Sequence, residues 1–147
     1  MASYTKIPDW TDRLVESANF DTDNFSIALS NTAPASESPN PTTDGNGVLA
    51  NVTQISYANY SDTLTADRRL EGTAGTSTGG VYKFDAENFT ITASGGAIAG
   101  WRYLYVFDDT LASDPLVAVF DYGSTLTLAS GDSAAININA AGVFTVT

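Results

Sequence analysis

One stretch in the last third of the chain, residues 100–123, constrains the possible folds of this sequence more than any other. Its first half places an aromatic residue at every second position from Trp101 to Phe107, and this period of two predicts a strand. Its second half, from Leu116 to Tyr122, repeats the pattern. Both halves are apolar on both faces, which favours either two central strands of an antiparallel sandwich or a face covered by another subunit. Acidic turn-forming residues between the halves predict a hairpin.

Shorter apolar segments, separated by turn residues, lie on both sides of this hairpin. The predicted strands number about nine, at the spacing expected of a sandwich or jelly roll. They lie near residues 25–29, 48–60, 81–84, 89–93, 98–107, 116–122, 126–128, 136–138 and 143–147. Residues 31–47 contain three prolines, two glycines and several Ser and Thr, which predict a long exposed loop. The sequence therefore predicts an all-β fold, an antiparallel sandwich of jelly-roll type, over residues 24–147.

Residues 1–23 are predicted to form an N-terminal arm with one short helix. Asp9 is placed as the N-cap and Trp10 as the first helical residue, and Leu14 then shares the face of Trp10. So short a helix is not stable alone and must dock. Trp10 and Phe20 are the expected anchors, either on the chain's own β-core or on a neighbouring subunit.

The composition excludes many classes of function. The chain has no Cys and no His, so the usual zinc, haem and iron–sulfur ligands and the Ser-His-Asp and Cys-His catalytic sets are missing. Six Lys and Arg against 17 Asp and Glu give a net charge of −11, which disfavours nucleic acid and anionic membranes as partners. No secretory signal or membrane-length apolar run is visible, so we expect synthesis in a cytoplasm. The sequence predicts no cofactor, no resident metal and no enzymatic activity.

Two candidate sites for chemistry or ligand binding lie in the central hairpin. Four carboxylates at its loop ends suit a glycosidase acid–base pair or a calcium site, although turn formation is the favoured interpretation. These are Asp108, Asp109, Asp114 and Asp121. Four aromatic residues suit sugar stacking, although a place in the core or in an interface is favoured. These are Trp101, Tyr103, Tyr105 and Tyr122.

Several segments resemble small virion structural proteins of tailed bacteriophages. The segments are residues 77–85, residues 95–103 and, above all, residues 114–123, with the sequence Asp-Pro-Leu-Val-Ala-Val-Phe-Asp-Tyr-Gly. The closing part, residues 131–144, is also similar, so that the resemblance covers about residues 24–147. Because these motifs are sheet and turn features, they identify a scaffold more securely than a role.

The resemblance implies a capsid decoration (cement) protein. Such a protein is a β-sandwich or jelly roll, is expected to be a trimer, and bridges major capsid proteins on the outer surface of the shell. The residues that we expect at the partner interface are Trp10, Leu14, Phe20, Trp101 and Tyr103, with the loop of residues 31–47 as a second contact. The alternatives are a tail or head-fibre component of the same virion and a carbohydrate-binding module for host attachment. A carboxylate-based hydrolase is the least favoured.

Overall fold

The computed structural model describes residues 2–64 and 68–146, without the side chains of Val15, Glu16 and Ala74. Within these residues the chain forms ten β-strands, one α-helix and two short 3-10 turns. They are β1 (Ser3–Lys6), α1 (Trp10–Glu16), β2 (Phe25–Ser30), 3-10 turns at Pro34–Ser36 and Leu49–Asn51, β3 (Tyr60–Asp62), β4 (Ala74–Thr78), β5 (Val81–Asp85), β6 (Phe89–Ala93), β7 (Trp101–Asp108), β8 (Leu116–Leu126), β9 (Ser133–Ile136) and β10 (Phe144–Val146).

The strands form three antiparallel sheets, which confirms the predicted all-β sandwich. The central sheet has the order β1-β8-β7-β2, and two three-stranded sheets have the orders β10-β5-β4 and β3-β6-β9. The predicted hairpin is the β7–β8 pair at the middle of the central sheet, with Tyr103 opposite Asp121. Gly79 and Gly80 form the turn between β4 and β5, with φ of +61° and +84° that favour glycine. No helix in the described ranges is long and apolar enough to span a membrane.

Two strands of the central sheet, β2 and β7, are buried on both faces along most of their length. Every residue of β2 is buried, because its alternating polar residues are small and find partners. Ser26 Oγ donates to Asp109 Oδ2 at 3.4 Å, and Ser30 Oγ donates to the carbonyl of Thr53 at 2.7 Å. Small hydroxyl side chains can therefore occupy a covered face without leaving polar groups unpaired.

The segment that follows the long loop is hydrogen-bonded to β2. Ile55 donates its N–H to the carbonyl of Leu29 at 2.9 Å, and the Tyr57 hydroxyl accepts the N–H of Leu29 at 2.9 Å. The prediction of a strand over residues 48–60 is wrong except at its end, where β3 begins. The N–H of Leu29 is bound by the Tyr57 side-chain hydroxyl and not by a backbone carbonyl of this segment. The segment therefore satisfies backbone groups of β2 without forming a regular β-ladder with it.

The helix begins at Trp10 as predicted, but Asp9 does not cap it. Asp9 has helical backbone angles, φ −62° and ψ −20°. Its two carboxylate oxygens accept the N–H groups of Gly45 and Gly47, both at 2.7 Å. The carboxylate therefore ties the end of the long loop to the start of the helix, an arrangement that local sequence spacing does not indicate.

We expect Asp9→Asn to lower the free energy of unfolding by about 1–2 kcal/mol at pH 7, because an amide satisfies only one of the two N–H groups. Burial raises the pKa of Asp9, but the amides of Gly45 and Gly47 outweigh it, so that the folded pKa lies below the ordinary value. The stabilisation is therefore present above the unfolded pKa, about 4, and disappears as the pH falls through the folded pKa.

Urea unfolding of both proteins between pH 7 and pH 2.5 measures this difference. The matched control is Asp12→Asn, which removes an exposed carboxylate from the first helical turn and is expected to change stability by a few tenths of a kcal/mol. Equal losses for the two variants, or a difference that persists at the lowest pH, would contradict the role assigned to Asp9.

The N-terminal residues are part of the sandwich. β1 pairs with β8 along its whole length, and Ile7 continues the contact by donating its N–H to the carbonyl of Val117 at 3.2 Å. Trp10 then enters an aromatic cluster that closes one end of the core. Its ring makes edge contacts with Phe20, Phe25 and Phe144 at centroid distances of 6.0–6.2 Å. The arm predicted for residues 1–23 thus supplies both an edge strand and a core aromatic.

Candidate functional site

A groove of about 800 Å³ lies where the two layers of the sandwich separate. One wall is a face of the central sheet, and the other is the segment from β9 to β10, residues 135–145. The side chains on the sheet wall are Tyr4, Lys6, Ile27, Leu104, Val106, Phe120 and Tyr122. The sandwich is therefore closed by the aromatic cluster at one end and open along the β1 side.

The strand register explains why these aromatic side chains share one face. Tyr4 of β1 is opposite Phe120 of β8, and Phe120 is opposite Leu104 of β7. Residues directly opposite each other in antiparallel strands project from the same face, so the three side chains stand in one row. The rings of Tyr4 and Phe120 are 5.4 Å apart between centroids and tilted by 54°.

The floor of the groove is buried, whereas its mouth exposes two aromatic rings. Leu104 and Val106 are buried, and Phe120 is half-buried. Tyr4 is 44 % exposed and Tyr122 is 50 % exposed, and both are among the most exposed large apolar residues that the structure describes. Aromatic rings at the edge of an apolar groove are typical of a surface that a partner covers.

The groove also differs in charge from the rest of the molecule. None of the described residues that line it is acidic, although the chain has 17 Asp and Glu. Its charged residue is Lys6, which is exposed. The ion pairs within the described ranges join Lys83 to Asp85 and Arg102 to Asp121, so neither involves Lys6. The groove is thus an apolar surface with one cation on a strongly acidic protein.

The residues that the sequence placed at a partner interface lie in or against the core of the single chain. Trp10, Trp101 and Tyr103 are buried. Leu14 and Phe20 are partly buried and pack against the same core. These apolar side chains pack between the layers of the sandwich, where they are removed from water. Among these five residues Trp101 alone also lines the groove.

The four hairpin carboxylates do not form one site. Asp121 is opposite Tyr103, five residues along β7 from Asp108, which corresponds to about 16 Å at roughly 3.3 Å per residue. Asp121 forms a two-point ion pair with Arg102 at 2.7 and 2.8 Å. No group of three acidic side chains in the described residues is arranged to hold a metal ion. Asp108 and Asp121 are therefore too far apart to act together as one calcium site or one acid–base pair.

Asp108 is fully buried at the start of the hairpin loop. Its Oδ1 accepts the N–H groups of Thr110 and Leu111 at 2.9 and 3.2 Å, while its Oδ2 is buried without a hydrogen-bond partner. Burial raises the pKa of Asp108, and the nearby Asp23 carboxylate raises it further. The Asp108 side chain therefore stabilises the turn through two hydrogen bonds. Its negative charge is destabilising in the same buried position.

We expect Asp108→Asn to raise the free energy of unfolding by about 1 kcal/mol at pH 7, because it keeps the turn acceptor and removes the buried charge. Because the folded pKa of Asp108 is raised, wild-type stability falls as the pH rises through the unfolded pKa towards the folded one. The advantage of the variant should therefore vanish below about pH 4.

Thermal melts of both proteins between pH 3 and pH 7 measure this stability difference, with Asp108→Ala as the control that loses both hydrogen bonds of the turn. A more stable Asp108→Ala protein would contradict this role.

The proposed sugar-stacking residues are mostly inaccessible. Trp101, Tyr103 and Tyr105 are buried, whereas Tyr122 is exposed and lies in the groove. Sequence reasoning missed Tyr4, which lies among polar residues in Ser-Tyr-Thr-Lys. Its pairing with β8 brings it to the groove, and no local pattern indicates that pairing.

No known protein family model matches the chain, and the comparisons with curated proteins and with solved structures gave no match either.

Proposed function

We propose that this protein is a capsid decoration protein of a tailed bacteriophage. In this role it is a non-enzymatic structural component, made in the host cytoplasm, that binds major capsid proteins on the outer surface of the shell. The observation that supports the proposal is the aromatic groove, which has no Asp or Glu among its described lining residues although the molecule is otherwise acidic. The resemblance of the central hairpin to small virion proteins supplies the class of partner.

The physical basis of the proposed stabilisation is mass action. A protein that binds the assembled shell more tightly than the free capsid subunits shifts the equilibrium towards the shell. Each aromatic ring that loses about 100 Å² of exposure contributes roughly 2.5 kcal/mol at ~25 cal/mol per Å², before the costs of association. Tyr4 and Tyr122 supply such rings.

The acidic remainder of the surface fits the same role. A net charge of −11 favours solubility at high copy number and disfavours binding to the genome. The trimer that the resemblance implies would link three grooves, so that one decoration particle engages the shell multivalently.

A glycan-binding module is the second candidate, and one feature of the groove favours it. Asn137 and Asn139 line the same groove as the exposed rings of Tyr4 and Tyr122. Amide side chains beside aromatic rings can bind sugar hydroxyls while the ring stacks on the apolar sugar face. This function would place the protein in host attachment.

Co-sedimentation with empty shells of the phage that encodes the protein tests the proposal. We expect the protein to sediment with expanded shells at saturating, stoichiometric occupancy, to bind unexpanded shells less, and to have the mass of a trimer by light scattering. A protein that does not bind shells but binds a glycan array through Tyr122 would overturn the decoration function and support the second candidate. Binding to isolated tails instead of shells would identify a tail component.

A further inference from the structure

The central sheet has one covered edge and one open edge. The outer side of β2 is covered, since Ile27 donates its N–H to the carbonyl of Arg68 at 3.0 Å and Leu70 donates to the carbonyl of Phe25 at 2.7 Å. At the opposite edge β1 pairs with β8 alone among the described strands, and all four of its residues are exposed. An open edge of this kind is a template for another strand.

The register identifies the backbone groups that this edge presents. Ile7 donates its N–H to the carbonyl of Val117, so these two residues form a hydrogen-bonded pair. Hydrogen-bonded and non-hydrogen-bonded pairs alternate along an antiparallel ladder, which makes Lys6 and Tyr4 non-hydrogen-bonded positions. Their N–H and C=O groups therefore point away from β8. The same two residues carry their side chains on the groove face.

We propose that the groove binds an extended segment of the shell protein, which adds to β1 as a further strand and closes the sandwich. This inference rests on the proposed function. The segment would hydrogen-bond to the outward backbone groups of Tyr4 and Lys6, and its apolar side chains at alternate positions would fill the groove. A carboxylate of the segment would pair with Lys6, which provides the positive charge at the groove.

Charge favours a different protein over a second copy of this chain as the occupant. Among the described edge strands that a second copy could offer, β1, β4, β9 and β10 carry no carboxylate that could pair with Lys6. The edge strand β3 carries one, Asp62, but that carboxylate already accepts the N–H of Leu64. A second copy would also bring a further net charge of −11 against the first. An apolar segment with one carboxylate complements both the groove and Lys6 without that repulsion.

Two substitutions at one position separate the backbone contact from the side chain. Lys6→Ala removes the ammonium group and keeps the outward N–H, whereas Lys6→Pro removes both. Proline is tolerated at an edge strand where its N–H would face outward, so both variants should melt within a few degrees of the wild type. We expect Lys6→Ala to weaken shell binding about 2- to 10-fold and Lys6→Pro to weaken it at least tenfold more.

The possible outcomes are distinct. If wild-type protein does not bind shells, the proposed function fails and this inference fails with it. If wild-type protein binds and the two variants bind equally, the strand-addition inference is wrong while the decoration function stands. Amide hydrogen exchange in the wild type gives the same test without substitution, since Tyr4 and Lys6 should become protected on shells. Protection that instead grows with concentration in the free protein would identify a second copy as the occupant and overturn the inference.

Discussion

Trp10→Ala should lower the free energy of unfolding by about 3–5 kcal/mol, the range measured for removal of a large buried aromatic side chain. Trp10 is 1 % exposed and makes edge contacts with three aromatic rings of the core. Alanine would leave a cavity at the end of the sandwich where β10 and β2 meet the helix. Since small domains are stable by only about 5–15 kcal/mol, the variant should unfold at a much lower urea concentration.

Trp10→Phe is the matched control for this prediction. The indole Nε1 is buried without a hydrogen-bond partner, so phenylalanine keeps an aromatic ring and loses no hydrogen bond. We expect it to cost less than half as much as the alanine variant. Urea unfolding followed by near-ultraviolet circular dichroism measures both. An alanine variant with wild-type stability but lost shell binding would contradict this structural role of Trp10 and support the hypothesis that it anchors a partner.

Tyr122→Asp should reduce the affinity for shells about 30- to 1,000-fold, which corresponds to a loss of about 2–4 kcal/mol at an interface hot spot. The ring is half exposed at the mouth of the groove, so its removal should change the melting temperature little. The new carboxylate would be an acidic group in a lining without acidic residues, and it would repel the carboxylate that we place beside Lys6.

Two controls distinguish the ring, the added charge and the position. Tyr122→Phe keeps the ring and should bind within threefold of the wild type. Val81→Asp adds the same charge at another exposed apolar residue, which lies on β5 outside the groove, and should also bind normally. Co-sedimentation at graded protein concentrations gives the affinities. Equal losses for the two aspartate variants would show a general charge effect and contradict the assignment of the groove.

The central hairpin could be predicted from sequence because its information is local. Alternating aromatic and β-branched residues in β7 and β8 determine the strands, and the residues between them form the turn. The strand β1 could not be predicted, because Ser-Tyr-Thr-Lys has no apolar alternation. Its formation depends on hydrogen bonds to β8 that lie more than 100 residues away in the chain.

The candidate site was unpredictable for the same reason. Composition suggested that exposed aromatic residues would make contacts, but it did not indicate which aromatic residues would be exposed. Trp10 has room in the core, whereas Tyr4 lies on an edge strand where the layers separate. Asp9 illustrates the limit of local rules, since its position suits an N-cap while its carboxylate binds two distant loop amides.

Photo-crosslinking on the shell tests most directly whether the groove is the binding face. A photoreactive benzoyl-phenylalanine at position 122 retains an aromatic ring, and the same residue at position 81 is the matched control outside the groove. The proposed function predicts a covalent adduct with the major capsid protein from position 122 and little from position 81. An adduct from position 81 with none from position 122 would contradict it.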